Sequence, residues 1–406
     1  MKDKKTTYKF VNNEDQDGKL RIALFIDTFY PMIDGVVQVV DNYARILSRD
    51  CDVTVFTIKP RSGTYDDSIL PYKVVRCKRI KVSFLDYDLP VPSLDKHFQN
   101  EIFRNKFDIV HIHSPFGIGK LGVKYAKKNN VPVVATMHSQ FYKDFLKESH
   151  SKTIAKMLLK KVMKVFNSCD ECWAVNSEVA KIYFNEYKAK TMPLTRNNGT
   201  DMKPIIDIGK ISKLKQEYGI TDDEKVLLFV GRLTVLKNIL FIADCMKKLK
   251  DKNFKFKMLY VGSGPDEDKL KEKIEALGLA DDVKLLGRIA DRDRLACIYK
   301  MADLFVFPSL YDCSSLVQIE SSCQSTPALF IQGSATSDGV IDGVNGYLAD
   351  NSIDSYADKI LQIFADMSQY NNVCTQCYED LYLSWDKAVE LAKQDYIRLI
   401  EDKKNK

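Results

Sequence analysis

The chain has 406 residues, 45% of them hydrophobic, and carries 61 Lys and Arg against 55 Asp and Glu, a formal net charge of +6. This length exceeds the roughly 250–300 residues at which one core stops growing, so we expect two domains rather than one. No apolar run reaches about 18 residues and the N-terminus is charged throughout, which excludes a membrane-spanning helix and a secretory signal and predicts that residues 1–19 are a flexible leader.

Short apolar, β-branched runs alternate along the chain with segments of helical periodicity. The predicted strands are 20–26, 52–58, 107–115, 131–138 and 171–177 in the first half, and 225–233, 256–264, 282–289, 304–309 and 326–331 in the second. This alternation predicts parallel sheets covered by helices on both faces, and therefore an α/β protein with two doubly wound domains. The domain boundary is predicted near the polar stretch 194–205.

The loops that follow the strands are the candidate site, because ligands of doubly wound sheets bind beyond the carboxyl ends of the strands. The first loop ends at Gly35, where a helix N-terminus would let backbone amides approach a phosphate. A later loop carries Arg232 and Lys237 with no neighbouring acid, and two such cations suit a diphosphate. Gly262 belongs to a Gly-Ser-Gly turn, which is weak evidence by itself.

Two carboxylates, Asp312 and Glu320, stand in a stretch that is otherwise short of charge. Burying a carboxylate without a partner costs several kcal/mol, so these side chains either face water or hold something polar. His138 ends a predicted strand, and a hydrogen-bonded core histidine is as good an interpretation of it as a site residue. His111 and His113 alternate on one strand face, which favours a structural or acceptor-side position over a catalytic one.

These motifs occur in the order found in family 4 glycosyltransferases, which the chain resembles from about residue 20 to its final helix. The resemblance is carried by FYPMIDGVV, TMHSQF, NNGTD, VGRLTVLKN, VGSGPDEDKL, LGRI, PSLYDCSSLVQIE and DGVNGYL. It implies a GT-B fold, in which two Rossmann-like domains face each other across a cleft. Residues 20–205 plus 384–406 would form the acceptor-side domain, and residues 206–383 the nucleotide-sugar-binding domain.

The resemblance also implies a reaction, which is transfer of a sugar from a nucleotide sugar with retention at the anomeric carbon and without a metal or other cofactor. His138 and Asp312 would lie at the reacting sugar, and Glu320 would accept hydrogen bonds from the donor ribose. Arg232 and Lys237 would neutralise the diphosphate. The other donor-binding residues that it implies are Gly35, Gly262, Arg288, Ile289, Ser314, Ser315, Leu316 and Val317.

The sequence departs from the family pattern at three places, which bear on sugar preference. Asp312 stands where Glu is usual, Asp34 precedes the loop glycine and adds a negative charge there, and residues 332–343 differ from the common pattern. These departures motivate an alternative function, that of a non-catalytic GT-B subunit that binds sugar or activates a partner glycosyltransferase.

The basic charge is concentrated in one half of the chain, which indicates an anionic partner such as a membrane surface, a nucleic acid or a phosphorylated substrate. The segment 147–166 and the resemblance together favour a membrane-borne acceptor. Residues 1–205 hold 34 Lys and Arg against 23 Asp and Glu, whereas residues 206–406 hold 27 against 32. The segment 147–166 is predicted to be a basic amphipathic helix that lies on anionic lipid through Lys156, Lys160, Lys161 and Lys164. The alternative interpretation of this segment is an ordinary surface helix that packs on the sheet.

The resemblance supplies further expectations about donor, acceptor and location. It implies UDP-glucose as the donor and diacylglycerol or a lipid-linked glycan as the acceptor. It also implies a cytoplasmic protein bound peripherally to the inner face of the cell membrane. His113 is a candidate acceptor-side residue. We expect no nucleic acid partner, since no recognition motif appears and the lysines do not alternate with aromatic residues.

Three other classes of protein share single features of this sequence. A metal-dependent GT-A transferase needs a DxD motif, which 86–88, 266–268 and 291–293 match as strings. A dehydrogenase is excluded because the first loop lacks GxGxxG. Two CxxC pairs, 169–172 and 374–377, could hold zinc if the fold joined them, but free buried thiols in a reducing compartment are the favoured interpretation of the ten cysteines.

Overall fold

The computed structural model describes residues 18–32, 34–80, 89–310, 312 and 316–405. The predicted leader and two predicted donor-binding residues, Ser314 and Ser315, lie mostly or wholly outside them. The chain divides into two compact units. Unit 1 comprises Met1–Asn197 and Trp385–Lys406, and unit 2 comprises Asn198–Ser384.

Unit 1 is built on a seven-stranded sheet in the order β3-β2-β1-β6-β7-β8-β9, in which every pairing is parallel. A separate antiparallel pair joins β4 to β5. The strands are β1 (Arg21–Phe25), β2 (Asp52–Ile58), β3 (Lys73–Cys77), β4 (Arg79–Ile80), β5 (Leu89–Pro90), β6 (Ile109–Ile112), β7 (Val133–Met137), β8 (Glu171–Ala174) and β9 (Leu194–Thr195). The helices are α1 (Gly35–Leu47), α2 (Lys96–Arg104), α3 (Gly117–Asn129), α4 (Phe141–Ser149), α5 (Lys152–Phe166) and α6 (Ser177–Lys181).

The central strands of unit 1 are buried on both faces, as their continuous apolar sequences predict. Phe25 of β1 stacks on Phe56 of β2, with ring centroids 4.8 Å apart. Helix α3 packs so closely on β1 that a Cβ atom at Gly122 would lie 2.9 Å from the Phe25 ring. The strand order reverses between β1 and β6, which makes the carboxyl ends of these strands the expected place for a ligand.

Unit 2 contains a six-stranded parallel sheet in the order β12-β11-β10-β13-β14-β15. Its strands are β10 (Lys225–Val230), β11 (Phe256–Val261), β12 (Val283–Leu285), β13 (Leu304–Phe307), β14 (Ala328–Ile331) and β15 (Tyr347–Ala349). Its helices are α7 (Ile208–Glu217), α8 (Ile239–Asp251), α9 (Glu267–Ala276), α10 (Arg292–Met301), α11 (Leu316–Cys323), α12 (Ile353–Ala365) and α13 (Met367–Leu381). Here the order reverses between β10 and β13.

The helix after unit 2, α14 (Trp385–Lys404), belongs to unit 1. Its Tyr396 stacks on Trp173 of β8 at 5.5 Å, and the Tyr396 hydroxyl lies 2.6 Å from Nδ1 of His111. Asp395 forms an ion pair with Arg196 at 2.6 Å. The core of unit 1 therefore includes side chains from both ends of its sequence.

The prediction of two doubly wound α/β domains is confirmed, but most predicted strands extend up to three or four residues beyond the observed ones, and one predicted helix is two. The segment 147–166 is not one helix, because the chain turns at His150 (φ 50°) and restarts at Ser151, whose side chain caps α5 by accepting from the Ile154 amide. The strand predicted over 282–289 ends at Leu285, and Gly287 (φ 66°) takes a left-handed turn. No helix in the described residues is both long and apolar enough to cross a bilayer.

Candidate active site

The loops after β10 and β11 in unit 2 pack backbone to backbone, and this contact requires glycine. Gly262 has φ 134°, and a Cβ atom there would lie 1.9 Å from the Gly231 carbonyl oxygen. A Cβ atom at Gly264 would lie 2.2 Å from the carbonyl oxygen of Leu233. The Gly-Ser-Gly turn thus has a structural role in positioning the loop that carries Arg232 and Lys237.

Lys237 lies in a short turn after β10, and its Nζ atom is 2.7 Å from both carboxylate oxygens of Asp312. The Ser309 hydroxyl donates to the same carboxylate at 2.7 Å. The expectation that this cation has no neighbouring acid is therefore wrong, because an acid that is distant in the sequence, in the loop after β13, contacts it in the fold. Arg232 is exposed and forms no ion pair with any described residue.

Glu320 lies on α11 and is buried, with 8% of its surface exposed. Its Oε1 forms an ion pair with Arg292 at 2.8 Å, and its Oε2 accepts a hydrogen bond from the Tyr299 hydroxyl at 3.1 Å. Burial raises the pKa of Glu320, and Arg292 and Tyr299 oppose that rise. Arg292 also forms an ion pair with Asp201 at 2.6 Å. Sequence reasoning missed Arg292, although it stands inside the third DxD string.

The remaining donor-binding predictions fall at strand ends or at a helix start in unit 2. Arg288 is exposed after β12, and Ile289 is partly buried against the unit 2 core. Leu316 and Val317 open α11 and are half-buried. Nothing in these positions conflicts with a donor site, and their roles stay predictions.

In unit 1, three histidines lie side by side at the carboxyl ends of β6 and β7. Both ring nitrogens of His111 are bonded, to Tyr396 at 2.6 Å and to Thr136 at 2.7 Å. Nδ1 of His113 lies 3.1 Å from Nε2 of His138. The other ring nitrogen of His113 is buried and has no hydrogen-bond partner in the described part of the chain.

All three rings are neutral at ordinary pH. Burial lowers the pKa of His111 and His113 well below the usual value and lowers that of His138 to about 3. A neutral His113–His138 pair shares one N–H across the contact, so a single tautomer choice fixes the pair. If His113 donates, the outer nitrogen of His138 is a donor, and if His138 donates, that nitrogen is an acceptor.

Asp27, two residues beyond β1, was missed by sequence reasoning. Its Oδ1 accepts from the Ile118 amide at the start of α3 at 2.8 Å, whereas its buried Oδ2 has no partner among the described residues. Burial raises the pKa of Asp27 to about 6, although the Ile118, Phe116 and Gly119 amides and the Ser114 hydroxyl oppose the rise. The signal available in the sequence was an acid directly after the first strand.

Helix α1 begins at Gly35, as predicted, and Asp34 is its N-cap. The Asp34 carboxylate accepts from the Val37 amide at 2.8 Å. This contact explains the departure at Asp34 in structural terms. It also means that one of the first-turn amides expected to be open to a phosphate is already occupied.

The four lysines predicted to face a membrane, Lys156, Lys160, Lys161 and Lys164, are all exposed on α5. Met163 and Phe166 are buried in unit 1, as the surface-helix alternative requires. Ile154 and Met157 remain 43% and 50% exposed beside the lysines. The helix therefore buries one side in unit 1 and presents a basic surface with two apolar side chains.

The DxD strings and the CxxC pairs are the sequence features that suggested a metal site. Asp291 accepts from the Asp293 and Arg294 amides as a helix cap, and Asp266 accepts from the Val235 amide. The first string, 86–88, lies outside the described residues. In the described chain no group of three or more His, Cys, Asp or Glu is arranged to hold a metal ion, the two CxxC pairs included.

Two doubly wound units in one chain, with cations and a buried carboxylate at the carboxyl edge of the second sheet, define the GT-B class of glycosyltransferases. A family model described as glycosyltransferase family 4 matches residues 33–195, and one described as glycosyl transferases group 1 matches residues 210–379. The chain belongs to the family 4 glycosyltransferases. The GT-A alternative is wrong, since that class has a different fold.

Curated relatives and solved structures agree with this assignment. The chain is 27% identical over 319 residues to an alpha-monoglucosyldiacylglycerol synthase of Streptococcus pneumoniae, covering 76% of this chain and 70% of that protein. It is 25% identical over 350 residues to a protein of the same name from Acholeplasma laidlawii, covering 80% and 84%. The crystal structure of Anabaena Alr3699/HepE in complex with UDP and glucose has a TM-score of 0.69 at 17% identity, covering 93% of this chain and 99% of that one.

Proposed function

We propose that the protein is a retaining, metal-independent hexosyltransferase that moves glucose from UDP-glucose to a membrane-borne acceptor such as diacylglycerol or a lipid-linked glycan. The observation that carries the donor half of this proposal is the Lys237–Asp312 pair beside the exposed Arg232, on loops that follow the adjacent strands β10 and β13. The names of the two synthases support glucose and diacylglycerol.

The chemical requirement of such a transfer is stabilisation of the departing diphosphate. Negative charge grows on the leaving group in the transition state, and cations already held in place stabilise it without reorganisation. Lys237 is held by Asp312 at 2.7 Å and Arg232 is free to fork onto two phosphate oxygens. In this proposal Asp312 orients Lys237 in the empty enzyme and yields it in part to the diphosphate when the donor binds.

Glu320 is proposed to accept hydrogen bonds from the ribose hydroxyls. Each of its carboxylate oxygens already has one partner, Arg292 or Tyr299, and each has a second lone pair to offer. The ion pair with Arg292 favours the charged form that this role requires. His138, neutral because its pKa is lowered to about 3, would contact the sugar as a hydrogen-bonding group and not as a general acid.

The acceptor half of the proposal rests on α5. Four exposed lysines with the exposed Ile154 and Met157 form a surface that attracts anionic lipid through charge and inserts apolar side chains shallowly. We propose peripheral attachment to the inner face of the cell membrane through this surface. The enzyme could then reach a lipid acceptor that stays in the bilayer.

The second candidate function is a non-catalytic GT-B subunit. Two observations favour it, namely the Asp312 carboxylate that pairs with Lys237 and the Asp34 carboxylate that occupies a first-turn amide of α1. Both place negative charge where a donor phosphate would have to bind.

The test is a donor panel of UDP-glucose, UDP-galactose and GDP-mannose with diacylglycerol in vesicles, with chelator in half the reactions. We expect UDP release from UDP-glucose, an α-configured glucolipid by NMR, and no loss of rate with chelator. A β-configured product would refute retention, and chelator inhibition would refute metal independence. If none of the donors reacts and the protein instead binds another glycosyltransferase and raises its activity, the non-catalytic subunit would be favoured.

Membrane attachment is tested separately by vesicle sedimentation. Lys156→Gln/Lys160→Gln/Lys164→Gln should reduce binding to vesicles that contain phosphatidylglycerol, since each near-surface lysine contributes about 1 kcal/mol. The matched control, Lys120→Gln/Lys124→Gln/Lys127→Gln, removes the same charge from exposed positions of α3. Equal losses in both variants would refute a specific role of α5.

A further inference from the structure

A cavity of about 620 Å³ lies in unit 1 between β3, the strand at one end of the sheet, and helix α2. Its volume falls within the range of small-molecule sites, roughly 300–1,000 Å³. The apolar part of its lining includes Val74, Leu94 and Phe98. None of the predicted donor or acceptor residues lines it, so the functions proposed above do not account for it.

The charged part of the lining is strongly basic. Five cationic side chains line the cavity, those of Lys59, Lys73, Arg76, Lys78 and Lys96, against the two carboxylates of Asp95 and Glu101. The formal charge of the wall is therefore +3 with His97 counted as neutral.

Two of the five cations already have partners. Arg76 forms an ion pair with Asp67 at 2.7 Å, and Lys73 forms one with Glu101 at 2.7 Å. Lys59, Lys78 and Lys96 are exposed and form no ion pair with any described residue. The excess positive charge of the cavity therefore comes from these three lysines, offset in part by the Asp95 carboxylate.

The second carboxylate, Asp95, does not neutralise them through direct contact. It is 5% exposed, and its two oxygens accept backbone hydrogen bonds, from the Lys78 amide at 2.9 Å and from the Phe98 amide at 3.1 Å. Burial opposes ionisation of Asp95, but those amides and the nearby charges of Lys78 and Lys59 outweigh it and lower its pKa. Asp95 thus joins the end of β3 to the start of α2 and fixes the shape of the cavity.

We propose that this cavity binds a phosphate-bearing ligand, with the phosphate on Lys59, Lys78 and Lys96 and an adjoining apolar part on Leu94 and Val74. A multivalent anion is favoured because three lysines without ion-pair partners among the described residues line one cavity, and the single carboxylate of Asp95 offsets their mutual repulsion only in part. Leu94 is 71% exposed at the rim, which suits a ligand that carries carbon chains beside its phosphate. A soluble phosphate ester and a phospholipid headgroup share this chemistry.

The test uses the full chain and two probes, sn-glycerol 3-phosphate in titration calorimetry and phosphatidylcholine vesicles with and without phosphatidylglycerol in sedimentation. Lys59→Gln/Lys78→Gln/Lys96→Gln should weaken binding of at least one probe by roughly tenfold or more, as expected for loss of charge-assisted hydrogen bonds. The α3 triple variant, which removes the same charge, should change it by less than about twofold. All six positions are exposed, and thermal unfolding checks that both variants are folded.

Each outcome decides the proposal. Loss of sn-glycerol 3-phosphate binding in the cavity variant alone supports it with a soluble ester as ligand, and loss of vesicle binding alone supports it with a lipid headgroup. Equal losses in the two triple variants, or no binding of either probe by the unaltered protein, would overturn it. If the cavity triple variant is unfolded, the single variant Lys96→Gln, in the first turn of α2, replaces it under the same criteria.

Discussion

The Nζ atom of Lys237 lies 2.7 Å from each carboxylate oxygen of Asp312, so the cation proposed to receive the donor diphosphate already has an anionic partner. Both side chains are about one-fifth exposed, so the pair is not fully desolvated and an incoming anion can still reach it. A diphosphate can therefore compete with Asp312 for Lys237. This competition makes the affinity for nucleotide sensitive to both residues in opposite directions.

Replacing Lys237 with Met should weaken UDP binding by roughly tenfold or more, because the charge-assisted contact to the diphosphate is lost. Titration calorimetry with UDP measures it. The control is Lys252→Met in the same unit, whose ion pair with Asp358 is exposed and remote in sequence from the site loops. Unchanged UDP affinity in the Lys237 variant would contradict the donor assignment.

Replacing Asp312 with Asn should strengthen UDP binding by up to about fivefold, because Lys237 no longer has to leave an anionic partner. The Ser309 hydroxyl can still donate to the amide oxygen, so the loop should keep its place. Transfer should slow at the same time if Asp312 orients Lys237 and contacts the sugar. Weaker UDP binding in this variant would show that Asp312 supports nucleotide binding instead of opposing it.

Arg292 should control the pH dependence of nucleotide binding through Glu320. The pKa of Glu320 is raised by burial and held down by Arg292, so Arg292→Met should raise it further. The carboxylate is then protonated at a higher pH, and we expect UDP affinity near pH 6 to fall roughly tenfold below that of the unaltered protein. Arg294→Met, on the same helix and paired with Glu217, is the control. Parallel pH curves for Arg292→Met and the unaltered protein would refute this role.

Asp27 should make unit 1 less stable as the pH rises from about 4 to 7. Its pKa is about 6 in the folded chain against the ordinary aspartate value of 3.8, so the folded state holds the proton more tightly and loses that advantage as the carboxyl ionises. The expected loss is about 3 kcal/mol. Both tryptophans, Trp173 and Trp385, belong to unit 1, so fluorescence during urea unfolding reports on this unit.

Asp27→Asn should remove most of that decline. Asp66→Asn serves as the control, since this exposed carboxyl has its pKa lowered by Ser68 and contributes with the opposite sign. A decline that survives in Asp27→Asn would show that another group titrates.

The imidazole of His138 should remain neutral down to pH 5, because burial lowers its pKa to about 3. Long-range nitrogen–proton spectra of histidine-labelled protein can follow the five rings, with His138→Gln providing the assignment. The same spectra identify which nitrogen of His138 carries the proton and therefore what it offers to a ligand. Titration of His138 with a midpoint above pH 5 would contradict the buried pair with His113.

The sequence was sufficient for the fold class because the strands are continuous apolar runs and the helices have clear periodicity. It also predicted Gly35 as a helix start, and α1 begins there. The sequence could not predict contacts between side chains that are far apart along the chain and close together in the fold. Asp312 is 75 residues from Lys237, and no local pattern shows that these side chains meet. Arg292 was read as part of a possible DxD string, whereas its partner is Glu320 on another helix.

The prediction of a single helix over the basic segment 147–166 is wrong for a local reason. Its hydrophobic spacing is compatible with one helix, but His150 adopts φ 50° and Ser151 starts a new helix with its own cap. A serine before an apolar periodic run is a known helix-start signal, and Ser151 fits it. The short edge strand β3 was also missed, because its five residues include a lysine and an arginine.

The position of α14 has a consequence for biosynthesis. Residues 385–404 complete the core around Trp173, Tyr43 and His111, yet they leave the ribosome only after all of unit 2 has been made. Unit 2 is a continuous stretch and can fold during translation, whereas unit 1 must wait with part of its aromatic interior uncovered. The nascent chain is therefore most in need of chaperones during the interval in which the second half is being synthesised.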